Sequence, residues 1–76
     1  MRPLSANETI HRLVKQDNNL KVILHDIGFE EIVKPGMIST VGRFMTINKG
    51  CTMRDLDIIE VKEKLKQHDY LLVDID

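Results

Sequence analysis

The chain has 76 residues, 42% hydrophobic and 30% charged, with a net charge of −1. That length makes one domain spanning 1–76, too apolar for a disordered tail. The balanced charge and a pI near 6.3 lack the basic stripe of a nucleic-acid binder; no apolar run approaches a membrane span, and the single Cys51 excludes an intramolecular disulfide or a CxxC site.

Residues 1–6 read as a loose lead-in. They lack the apolar core of a signal peptide, so the expected location is cytoplasmic. Ser5-Ala6-Asn7-Glu8 fits a capping box with Ser5 as N-cap, and Thr9 is a second candidate. A short helix then carries Ile10, Leu13 and Val14 on one stripe and ends near Gln16. Asp17-Asn18-Asn19 breaks it, because these side chains bond to nearby backbone. Leu20, Ile23, Leu24 and Ile27 follow the helical period in a second helix. Gly28 stands where a helix C-terminus takes positive φ, and Phe29 is expected to fold back on that helix. Phe29 to Val33 is a connector, and Lys34-Pro35-Gly36 is a stop.

The run Met37 to Ile47 is the longest mostly apolar stretch. As a helix it would set Met37, Ile38, Val41, Phe44 and Met45 on one face. Gly42 inside it costs about 1 kcal/mol against Ala, which predicts a close neighbour. This run is expected to be the buried central helix, ending by Lys49-Gly50. Cys51 to Leu56 is a second connector, and Asp57 caps a last helix with Ile58, Val61 and Leu65 inward and Lys62, Lys64 and Lys66 in water. The tail Tyr70 to Asp76 alternates like a strand, with Leu71, Val73 and Ile75 on one side. It reads as an extended C-terminal arm, which invites homodimerisation by edge pairing. The expected fold is all-α: four or five short helices in a bundle around the central one.

Taken together, Thr9-Ile10, Leu20 to Ile27 closing on Gly28-Phe29, Pro35-x-Met37, Thr40-Val41-Gly42-Arg43, Thr46-Ile47, Lys49-Gly50, Asp57-Ile58 and His68-Asp69-Tyr70 resemble the small bacterial domain called domain of unknown function 1858. The resemblance covers residues 7 to about 73. It implies a compact multihelical domain and a family without an assigned reaction, whose members occur alone or fused to PAS and haemerythrin-like domains. Many relatives carry a cysteine pair near the middle and are suspected of redox roles. Residues Met37 to Thr40 hold no cysteine and Cys51 is alone, so the chain reads as a cysteine-less branch to which dithiol chemistry does not carry over.

Candidate contacts are few. Arg43 either packs its stem and keeps its head in water or clamps an anion or carboxylate. Cys51 is either a small core residue or a redox-sensing thiol. His11, His25 and His68 lack metal-ligand spacing, no phosphate loop or nucleophile–base pair is present, and Glu30-Glu31 and the Asp74 and Asp76 tail read as solvated surface. No cofactor, metal or catalytic role is expected. The leading expectation is a non-catalytic accessory or protein-interaction module touching its partner through Phe29, Met37, Leu71 and Val73, with no nucleic-acid or membrane partner. The alternative is a small-ligand or thiol-redox sensor. It would use Arg43 with a helix N-terminus at Met37 to Thr40 as an anion site, or Cys51 as a switch.

Overall fold

The computed structural model describes residues 1–76 as two strands and four α-helices. The order is β1 (Arg2–Ser5), α1 (Ile10–Gln16), α2 (Asn19–Ile27), α3 (Ile47–Met53), α4 (Ile58–Gln67) and β2 (Tyr70–Val73), with a 3-10 turn at Val41–Arg43 ahead of α3. β1 and β2 pair in parallel, Arg2 opposite Tyr70, Leu4 opposite Leu72 and Ser5 opposite Val73. Parallel strands need a crossover connection, and here all four helices lie within it. The all-α expectation is therefore overturned: this is a small α/β fold. The lead-in expected to be loose is strand β1, and the extended arm expected at the C-terminus is strand β2. Each has main-chain N–H and C=O groups to satisfy, and the two ends of the chain supply them to one another. The arm thus has its pairing partner within the chain. Tyr70 and Leu72 are its buried side, whereas Leu71 is exposed and Val73 and Ile75 are half-buried.

Helix boundaries follow local chemistry. Thr9, not Ser5, caps α1, its hydroxyl accepting from Arg12 N–H at 3.3 Å. Ser5 instead accepts from Asn7 N–H and donates to Asp74 Oδ2 at 2.7 Å, joining the two chain ends. Gly28 ends α2 at φ 134°, and Phe29 N–H donates to Leu24 O, the predicted fold-back. Asp57 caps α4 through Ile59 N–H, as its sequence position predicts.

The central helix does not form. Residues 31–44 instead run as successive four-residue turns that share their end residues: the N–H groups of Lys34, Met37, Thr40 and Arg43 donate to the carbonyls of Glu31, Lys34, Met37 and Thr40. Gly36 adopts φ 83° after Pro35, the pairing a type II turn requires. Thr40 Oγ1 donates back to Gly36 O at 2.8 Å, the side-chain competition that lowers helix propensity. Thr46 then caps α3, accepting from Lys49 N–H at 3.1 Å. Lys49 and Gly50 lie inside that helix rather than ending one. Gly42 packs on α1, but a Cβ there would stand 3.5 Å from His11 N, an ordinary contact distance, so no close approach demands glycine.

One hydrophobic core joins the strands and helices. Its fully enclosed members include Ile10, Leu20, Leu24, Phe29, Ile47 and Leu65. Phe29 lies against Gly50 so closely that a Cβ on Gly50 would be 2.6 Å from the ring's Cε1.

Two polar clusters pin the termini. Buried Asn48 on α3 donates from Nδ2 to Asn7 Oδ1 at 2.7 Å and to Asp74 O at 3.0 Å, and its Oδ1 accepts from Asp76 N–H at 3.4 Å. Its own N–H donates to Ala6 O. On the other side, the Tyr70 hydroxyl donates to the Asp17 carboxylate, which also accepts from Arg2 Nη1 at 2.6 Å. The Tyr70 hydrogen bond, more than the Arg2 guanidinium, holds the Asp17 carboxyl below its usual range, against an opposing effect of burial. Burial first, then Asp17, pushes the Tyr70 hydroxyl up.

Candidate interaction surface

The predicted contact residues do not form one surface. Phe29 is 1% exposed and belongs to the core; its place after a Gly cap points it inward, not toward a partner. Met37 is half-buried, with its carbonyl accepting from Thr40 and Gly42 N–H. Leu71 is 39% exposed on β2, and Val73 beside Ser5 is half-buried. Arg43 is exposed and makes no ion pair. No helix forms over Met37 to Thr40, so no helix N-terminus stands there to join Arg43 in an anion site.

Cys51 is 4% exposed on α3, at the edge of an open groove of about 520 Å³ that Met53, Leu56 and Ile58 also line. Burial, and secondarily the Asp57 carboxylate, pushes its thiol pKa up. A thiolate is the reactive form, so this environment suppresses switch chemistry. The three histidines sit apart, on α1, on α2 and just past α4. No three His, Cys, Asp or Glu side chains gather where they could share a metal.

The feature that the helix reading concealed is the turn at Val41–Phe44. Phe44 is 76% exposed and Val41 is 38% exposed. The backbone beneath them is held: Gly42 is buried against α1 and its N–H donates to Met37 O at 2.8 Å, while Phe44 and Met45 N–H both donate to Val41 O. Ser39, Thr40 and Arg43 complete a shallow surface hollow with Val41 and Phe44. A helical wheel buries Phe44, so only the small and β-branched residues Ser39, Thr40 and Gly42 hinted otherwise.

No helix is long and apolar enough to cross a membrane. Among solved structures, the chain is similar to the conserved domain protein from Streptococcus pneumoniae TIGR4, at 20% sequence identity and a TM-score of 0.91, covering 100% of this chain and 96% of that one. At that identity the likeness shows the fold alone. No curated protein matches the sequence. The description cysteine-less is too strong for a chain that buries Cys51 in its core. The family described as Domain of unknown function (DUF1858) matches residues 4–62. That match takes in the second half of β1, all of α1 to α3 and the first half of α4, and the chain belongs to this family.

Proposed function

We propose that the domain is a non-catalytic cytoplasmic interaction module that docks a protein partner through the Val41–Phe44 turn. The observation that carries the proposal is Phe44, a large aromatic held out in water at 76% exposure on a turn fixed by its own main-chain bonds. Exposing an aromatic ring forgoes the burial energy it could gain in the core, and aromatic and Arg side chains dominate interface energetics. Arg43 beside it is exposed and has no carboxylate partner within the chain. The matching partner offers an apolar pocket for Phe44 and a carboxylate at its rim for Arg43. The separated histidines and the buried, protonated Cys51 favour binding over catalysis or thiol switching.

The test is capture from host lysate on immobilised wild type, Phe44→Ser and Arg43→Gln, with each protein's melting curve recorded. The expected result is a protein retained by wild type, lost by Phe44→Ser and reduced by Arg43→Gln at unchanged melting temperature. Identical captures on wild type and Phe44→Ser would overturn the proposal.

A further inference from the structure

A second concave surface lies between α1, α2 and the Pro35 turn. It is an open groove of about 310 Å³, and its charged lining is all of one sign: Lys15 from α1, Lys21 from α2 and Lys34 from the turn, with His11 beside them. No carboxylate lines it. Glu31 reaches the cluster from outside, pairing with Lys34 at 3.0 Å where both side chains are exposed. Lys15 and Lys21 have no ion-pair partner. Three lysines line this groove although the whole chain carries a net charge of −1.

Main-chain donors reinforce the charge. The far wall is Pro35-Gly36 with Ile38 and Ser39. The N–H groups of Gly36, Ile38 and Ser39 donate to no acceptor in the protein, whereas their neighbours Met37 and Thr40 are bonded within the turns. A Cβ on Gly36 would meet nothing within 4 Å, so the approach to this wall is open. Ammonium groups and free main-chain N–H groups around one concavity are the chemistry that holds oxyanions. The volume falls at the lower end of small-ligand sites. No aromatic side chain lines the groove on which a base could stack.

We infer that this groove is a binding site for a small, multiply charged phosphate-type oxyanion, held by Lys15, Lys21 and Lys34 and the N–H groups of Gly36, Ile38 and Ser39. The inference goes beyond the docking proposal and does not depend on it. Pyrophosphate, with more charge to share among three lysines, binds more tightly than orthophosphate.

The test is amide NMR of the intact chain titrated with inorganic phosphate, pyrophosphate and, as a control for charge alone, sulfate, all at constant ionic strength. The expected result is saturable shifts of Gly36, Ile38 and Ser39, tighter for pyrophosphate than for phosphate or sulfate. Lys21→Gln should weaken pyrophosphate binding by about tenfold, the scale of one charge-assisted hydrogen bond, and Lys15→Gln should act in the same direction. Glu31→Gln should strengthen binding by freeing Lys34. All three positions are exposed, so the variants should fold, and each spectrum verifies that. Shifts spread equally over the Lys62 to Lys66 face of α4, or affinity unchanged in Lys21→Gln, would overturn the assignment. So would equal, non-saturating responses to all three anions.

Discussion

Gly50→Ala sets two effects of opposite sign against each other. Gly50 lies inside α3, so Ala should stabilise by about 1 kcal/mol on helix propensity alone. Yet the added methyl would stand 2.6 Å from Phe29 Cε1 and 3.3 Å from Cδ1. The ring cannot swing away, because Phe29 is enclosed on all sides in the core. Overpacking costs about 1–3 kcal/mol, and a contact this short belongs at the upper end. The net expectation is a loss of about 1–2 kcal/mol, or a fall in melting temperature of about 5–15 °C for a domain of this size. Thermal and urea unfolding read it directly. In a Phe29→Leu background the same change should cost less, because the ring edge is gone; the double-mutant cycle isolates that contact. A higher melting temperature in Gly50→Ala, or an equal cost in both backgrounds, would refute the packing described between Phe29 and α3.

Asn48→Ala removes the partners of Asn7 Oδ1 and Asp74 O; we expect a loss of about 1–3 kcal/mol, with faster proteolysis or amide exchange at residues 74–76 as the specific readout. The Asp17 carboxyl is held below its usual value chiefly by Tyr70. Its stabilising effect is therefore complete above the unfolded-state value near 3.8 and is lost as pH falls through the lower folded value. Urea midpoints followed from pH 5 to pH 2 should decline less steeply in Tyr70→Phe than in wild type. The raised Tyr70 value acts at the other end of the scale, and that contribution, present below about pH 10, is lost as pH rises through the folded value. Cys51 in the folded chain should react with a thiol reagent far more slowly than in the unfolded chain, because it is buried and its thiol is held protonated; equal rates would contradict its placement in the core.

The sequence carried the elements whose signals are local. Period and caps marked α1, α2 and α4, and Gly28 at φ 134° marked the end of α2. What it hid was long-range. The tail alternates like a strand, but the four residues of β1 are too short to declare one alone, and the pairing that links Arg2 to Tyr70 spans nearly the whole chain. The apolar count of Met37 to Ile47 suggested a helix, but Pro35-Gly36, Ser39 and Thr40 offer the backbone bonds of tight turns instead. The turn also decides the candidate surface, since Phe44 would face a core on a helix and faces water on the turn. The groove lysines were hidden for a related reason. Lys15, Lys21 and Lys34 lie on three segments that only the fold brings around one hollow.

The central claim is that the Val41–Phe44 turn is a contact surface, and site-specific photo-crosslinking in host cells tests it most directly. A photoreactive phenylalanine analogue is placed at Phe44 and, for comparison, at Ile59, which is also exposed at 57% but lies on α4 away from the turn. The account predicts a discrete protein adduct from position 44 that is weakened by Arg43→Gln and absent from position 59. No adduct from position 44, or the same adducts from both positions, would contradict it.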